Sequence, residues 1–192
     1  MKTIFFDVMS TLVYDPFYVD LPAAFGVSLS ELLQGRDRYA WLEFERAEIT
    51  QTQFFERFFR DRAASDGPLM VETIVNNYRY LEGIENLLLA LQGRARLTTL
   101  SNYPDWFELL EQKLNLSQYM ETLFVSYQLG VRKPNPNAYL MPMKQLQVLP
   151  EDCIFVDDRK ENCDAAIGVG MEAIVFENAI QLRTELERLG VL

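Results

Sequence analysis

The sequence contains no histidine. That removes Ser-His-Asp and Cys-His triads, zinc sites built on imidazole, and phosphatases that pass through phosphohistidine. Any chemistry has to come from carboxylates, hydroxyls, lysine, arginine or cysteine. Cysteine is scarce too: Cys153 and Cys163 are the two thiols in 192 residues. Two thiols make no disulfide framework and fit a reducing compartment, which predicts a cytoplasmic protein. Basic residues are outnumbered, with 18 Lys and Arg against 28 Asp and Glu and a net charge of −10. Such a field repels phosphate backbones and disfavours a nucleic-acid partner. No stretch approaches the ~20 uncharged apolar residues of a membrane span. The opening MKTIFFDVMSTLVYD places an Asp inside its apolar run, unlike a secretory signal. The expected partner is a small molecule, with neither nucleic acid nor membrane, and the chain is compatible with a monomer or a homodimer.

What is present points to an α/β fold. Hydrophobic residues make up 49% of the chain, enough for a sizeable core. Short β-rich apolar runs at Thr3–Val8, Leu97–Leu100, Leu123–Ser126, Ile154–Val156 and Ala173–Phe176 read as parallel strands buried on both faces. Helix-period segments at Asp105–Leu114, Asn137–Gln147, Lys160–Val169 and Gln181–Leu189 alternate with the later runs. Strand and helix in alternation predict a doubly wound parallel sheet. Pro16 to Tyr80 interrupts this pattern with helical stretches only: Ser28–Leu33, Tyr39–Glu48, Thr52–Ala63, and a further helix to Tyr80 after Asp66-Gly67-Pro68. The predicted organisation is a core of residues 1–15 and 81–192 with a helical insert, 16–80, after the first strand.

Four short segments close predicted strands at their carboxyl ends, where open α/β sheets place ligands. FFDVMST carries Asp7 and Thr11; TTLSN carries Ser101 and Asn102; GVRKPNP carries Lys133; IFVDDRKEN carries Asp157 and Asp158. Each alone has a bland reading as a cap, a turn or a solvated charge. Together, and in this order, they are harder to dismiss.

The set Asp-x-x-x-Thr, Ser, Lys, Asp-Asp resembles the four-motif signature of haloacid dehalogenase-like hydrolases, and the helical insert resembles their small cap. The segments DVMSTLVYDPFYVDLPAAFG, WLEFE, SNYPDW and CIFVDDR are similar to a subgroup that includes plant chloroplast FMN phosphatases and bacterial relatives. The resemblance implies a Mg²⁺-dependent phosphomonoester hydrolase acting on a small phosphorylated metabolite, with FMN to riboflavin as the specific expectation. Asp7 would be the nucleophile that forms an aspartyl-phosphate, and Thr11 would orient its loop. Ser101 would bond a phosphoryl oxygen, and Lys133 would offset the crowded acids. Asp7, Asp158 and the backbone carbonyl of Met9 would hold the metal, with Asp157 behind them or as an alternate ligand. Hard oxygen donors of this kind suit Mg²⁺, and a carboxylate can attack phosphorus once the dianion is neutralised. Asn102 and Arg159 are secondary candidates, and Phe17, Tyr18, Trp41 and Phe44 are the candidates for contact with a flat ring.

One position departs from the pattern. Most family phosphatases carry a second Asp two residues after the nucleophile as general acid and base, and here that residue is Met9. A thioether moves no proton, so a substitute among Asp15, Asp105 and Glu43 is expected. Two other readings stay open: a metal-independent 2-haloacid dehalogenase-like hydrolase, whose relatives also lack that Asp, and a catalytically weakened relative with a binding or regulatory role. The acidic pair Asp157-Asp158 weighs against the first, and the intact Asp7, Ser101, Lys133 and Asp158 weigh against the second. Cys153 to Arg159 fits the C-x5-R spacing of cysteine phosphatases but encloses a buried strand and two anions, where that chemistry needs backbone amides.

Overall fold

The computed structural model describes residues 1–34 and 36–192, without the side chains of residues 61 and 64. Five parallel strands, β1 (Thr3–Phe6), β2 (Arg96–Ser101), β3 (Thr122–Val125), β4 (Cys153–Asp157) and β5 (Glu172–Val175), form one sheet in the order β3-β2-β1-β4-β5. Among the described residues five α-helices lie between β1 and β2 ahead of the first core helix: α1 (Asp20–Phe25), α2 (Leu29–Leu33), α3 (Ala40–Phe44), α4 (Gln51–Phe59) and α5 (Ala63–Asn77). The remaining helices are α6 (Ile84–Leu91), α7 (Phe107–Leu114), α8 (Ser126–Leu129), α9 (Pro136–Leu146), α10 (Lys160–Gly168) and α11 (Ala179–Arg188). Among the described residues no helix is long and apolar enough to cross a membrane.

The central strand explains why the first apolar run has no polar face. All four residues of β1 are buried, and successive side chains leave a strand on opposite faces. Ile4 and Phe6 join one hydrophobic cluster with α6, α7 and α11, while Phe5 joins a second with Phe124, Tyr139 and Phe155. β1 pairs with β2 on one side and β4 on the other. The chain winds outward through β2 and β3, then returns across β1 to begin β4. The carboxyl ends of β1 and β4 therefore flank the point where winding direction reverses, the usual crevice for a ligand. The edge strand β5 departs from the expectation of two buried faces: Glu172 and Val175 are exposed, because an outer strand is covered less completely.

The helical segment also differs from its reading in one place. Asp66-Gly67-Pro68 does not break the chain; α5 runs through it. Pro68 is exposed. Gly67 is there for packing: a Cβ would lie 2.5 Å from Cδ2 of Phe55 on α4. Gly67→Ala is expected to cost about 1–3 kcal/mol through overpacking, despite the better helix propensity of alanine. A denaturation midpoint equal to or above that of the unchanged protein would contradict this. Phe54, Phe55, Phe58 and Phe59 of α4 are buried in the same cluster as Ile4 and Phe6, so this aromatic run is core and not a ligand surface.

Candidate active site

Asp7 leaves the sheet at the switch point, its amide donating to Val156 O at 2.8 Å as the last bond between the two central strands. The chain then turns tightly. The amides of Leu12 and Val13 both donate to Val8 O, at 2.9 and 2.8 Å, and Ser10 donates to Val13 O at 2.7 Å. Ser10 sits at φ 61° to allow it, a left-handed conformation that costs a non-glycine residue some strain. The turn carries Thr11 back beneath the loop after β4, where its buried Oγ1 accepts the Asp158 amide at 3.1 Å. The Thr11 hydroxyl thus ties the first segment to the fourth.

Lys133 is 1% exposed and stands between two acids. Its Nζ donates to Asp7 Oδ1 at 2.7 Å and to Asp157 Oδ2 at 2.6 Å, and it lies 5.0 Å from the centre of the Phe155 ring. Asn102 fixes its backbone from both sides, accepting the Lys133 amide at 2.8 Å and donating to the Lys133 carbonyl at 3.0 Å. Burial pushes Asp7 up to about 7, against the opposing pull of Lys133; the charges of Asp157 and Asp158 add to the rise. Burial alone would lower the Lys133 ammonium, but Asp7 and Asp157 outweigh it and the group is raised, hence charged. The arrangement is a buried cation shared by two carboxylates, with the net excess of negative charge facing the cavity.

Carboxylate oxygens of Asp7, Asp157 and Asp158 lie within 4.8 Å of one another. Their roles separate on their partners. Asp157 is fully buried and committed: it accepts the Arg159 amide at 2.8 Å and both oxygens take Asn162 Nδ2, at 3.1 and 3.0 Å, besides Lys133. Asp158 is exposed, and among the described residues its carboxylate accepts from no other residue, only from its own amide. Burial and the neighbouring Asp157 charge raise its carboxyl above the usual range. The Met9 carbonyl likewise accepts none among the described residues. Ser101, closing β2, is buried with no partner for its Oγ. Hard carboxylate and carbonyl oxygens of this kind fit a divalent cation, and the Ser101 hydroxyl holds an unused buried donor.

Above these residues opens a cavity of about 400 Å³, within the range of small-molecule sites. Phe17, Tyr18 and Trp41 line it, with Asp7, Met9, Asn102, Lys133, Asp158 and Arg159. Phe44 does not. It is fully buried, stacked on Phe54 at 5.2 Å and set edge-on to Trp106 at 5.4 Å. Three positions after Trp41 on a short helix, it turns into the core while Trp41 faces the cavity. Of the acids considered as replacements at Met9, Glu43 is held by Arg57 and Asp105 lies outside the cavity lining, whereas Asp15 lines it.

Several lining residues were not singled out from the sequence, Glu45 and Arg132 among them. Glu45 Oε2 accepts Arg132 Nε at 2.8 Å, and its other oxygen takes the Trp41 indole N–H. Burial raises the Glu45 carboxyl and Arg132 opposes that rise. The Glu45 carbonyl accepts Ser126 Oγ at 2.7 Å. This bridge joins α3 to the loop carrying Lys133. Its only sequence signals were the acid of WLEFE and the arginine preceding Lys133.

The model of the haloacid dehalogenase-like hydrolases matches residues 1–170. The chain belongs to that family. It is an enzyme, a hydrolase, and over all of its 192 residues it is 40% identical to a flavin mononucleotide hydrolase of Arabidopsis thaliana, covering 78% of that protein. A haloacid dehalogenase-like enzyme of Bacteroides thetaiotaomicron, solved with magnesium and inorganic phosphate, shares the fold with a TM-score of 0.76, 19% identity, and coverage of 93% of this chain and 95% of that one. A 2-haloacid dehalogenase of Pseudomonas syringae also shares it, with a TM-score of 0.67, 18% identity, and coverage of 98% and 99%. The Arabidopsis relative is chloroplastic, which overturns the cytoplasmic expectation for this hydrolase. Two free, buried thiols fit any reducing compartment and do not distinguish one from another.

Proposed function

We propose that this hydrolase cleaves a small phosphomonoester, with FMN as substrate, through an aspartyl-phosphate on Asp7. The carrying observation is the buried Lys133 ammonium bonded to both Asp7 and Asp157, with Asp158 beside them and its carboxylate free. Lys133 opposes the protonation of Asp7 that burial favours, and the arrangement leaves oxygens for a cation that would oppose it further. Asp7, Asp158 and the Met9 carbonyl would hold Mg²⁺, and Asp157 would hold Lys133. When bound, the ion supplies positive charge against the phosphoryl oxygens. The 40% identity to the flavin mononucleotide hydrolase and the ring-lined cavity wall of Phe17, Tyr18 and Trp41 support a planar ring system as the rest of the substrate. Residues 16–80 form the cap over a core of 1–15 and 81–192.

An Asp7 oxygen attacks phosphorus as the ester oxygen departs, and water then attacks the phosphoryl group and frees Asp7. Lys133 stabilises the attacking carboxylate and the phosphoryl oxygens, and the unpartnered Ser101 hydroxyl donates to one of them. The committed hydrogen bonds of Asp157 keep Lys133 in place. Phosphate release from FMN with Mg²⁺ or with EDTA tests the reading. Release that requires Mg²⁺ is expected; halide release from 2-haloacids without metal would place the chain with the dehalogenases instead.

A further inference from the structure

We propose that Asp15 is the proton-transfer residue of this active site, standing in for the acid that Met9 cannot supply. The inference rests on the phosphomonoester reading above. Turnover needs a group that protonates the departing oxygen and later accepts a proton from water, and general acid–base help of this kind is worth roughly 10²–10⁴-fold. Apart from Asp7 and Asp158, only two carboxylates line the cavity among the described residues, Asp15 and Glu45. Glu45 has no oxygen to spare, because Arg132 and the Trp41 indole occupy both. Asp15 has one. Its Oδ1 accepts the Phe17 amide at 3.0 Å, which fixes the carboxyl plane, and among the described residues Oδ2 has no partner.

The position follows from the tight turn after Asp7. The Tyr14 amide donates to Arg79 O at 2.9 Å, and Val13 bridges Tyr80, so the segment carrying Asp15 is pinned against the chain leaving α5. The groups that act on Asp15 through their charge or are acted on by it are the Arg159 guanidinium from the loop after β4 and the hydroxyls of Tyr78 and Tyr103, which bond each other at 2.7 Å. Burial raises the Asp15 carboxyl, with the Phe17 amide and Arg159 opposing, in the direction a general acid requires.

In the first step the Asp15 carboxyl gives its proton to the ester oxygen as the bond from that oxygen to phosphorus breaks and the bond from Asp7 to phosphorus forms. In the second, the Asp15 carboxylate takes a proton from water as the water oxygen bonds phosphorus and the Asp7–phosphorus bond breaks. Asp15 ends as it began.

Asp15→Asn separates this role from a structural one. With p-nitrophenyl phosphate, whose leaving group needs no proton, the variant is expected to keep a rapid burst of one p-nitrophenolate per site. Turnover should then be slower by roughly 10²–10⁴-fold. With FMN or a simple alkyl phosphate the burst itself should disappear. A burst lost equally with both leaving groups, or turnover unchanged with both, overturns the proposal. Should the variant not fold, the unchanged enzyme decides the question. Single-turnover rates across phosphate esters of graded leaving-group acidity are expected to be nearly flat, and a steep fall with leaving-group basicity overturns it. A wild-type enzyme that releases phosphate from none of these esters overturns the phosphatase reading itself, and Asp15 falls with it.

Discussion

Asp7→Asn is expected to abolish phosphate release, by about 10⁶-fold, the order found when a covalent nucleophile is removed, while making the metal-free protein more stable. The first half follows from chemistry, because an amide oxygen neither attacks phosphorus as a carboxylate does nor leaves an acyl-phosphate that water can open. The second half follows from burial. The folded protein holds the Asp7 carboxyl at about 7, well above its ordinary 3.8. Between those values the folded state binds more protons than the unfolded one, so its stability falls as pH rises through that window. Above pH 7 the ionised Asp7 is a standing cost of a few kcal/mol. Asn carries none of it. In EDTA at pH 8 the variant should melt above the wild type, and the gap should close below pH 4. Mg²⁺ should raise the melting temperature of the wild type far more than that of the variant, since a bound ion stabilises only the state that holds it. A variant less stable than the wild type at pH 8 would show that burial is not the dominant force on Asp7.

Lys133→Met is expected to lower stability by about 3–5 kcal/mol at neutral pH, the cost of breaking a buried ion pair by removing one partner. Methionine nearly matches the stem in length, so the change isolates the charge. Asp157 suffers most. It is fully buried and keeps only Asn162 and the Arg159 amide once Nζ is gone, and Asp7 loses its single cation. Lowering the pH should restore part of the loss as the stranded Asp7 protonates, so the penalty should shrink between neutrality and pH 5. Chemical denaturation at the two pH values reads this out, and a penalty that is constant with pH would assign the loss to packing. Lys133→Arg is no rescue, because a planar fork does not fit a point contact to two acids 2.6–2.7 Å from Nζ.

Much of this was legible in the chain. Strands buried on both faces leave unbroken apolar runs, so β1 and β4 announced themselves, and the acids closing them stood out against that background; Lys133, expected at a strand end, instead arrives from the loop after α8. The helical insert was legible from the period of its apolar residues, but its internal punctuation was not. Asp66-Gly67-Pro68 reads as a break because local preference says so, and only the Phe55 ring lying against Gly67 explains why a helix continues there. Phe44 and Trp41 show the same limit. Both are aromatic and three residues apart, yet one lines the cavity and the other fills the core, a choice made by Phe54 and Trp106 from distant segments.

The sequence by itself determined the chemistry available. Without histidine it had to be carboxylate and lysine chemistry, at the ends of parallel strands, with a thioether where an acid is usual. Only the tertiary structure decided how those groups divide the work. Asp157 and Asp158 are neighbours of the same type, and nothing in their order says which one grips Lys133 and which stays open. The strand end turns the first inward, where burial demands partners for both oxygens, and leaves the second facing solvent. Asp15 and Glu45 are likewise both acids in the helical segment or at its edge. One keeps a free oxygen and the other does not, because Arg132 reaches Glu45 across 87 residues of chain, a contact that exists only once the fold has formed.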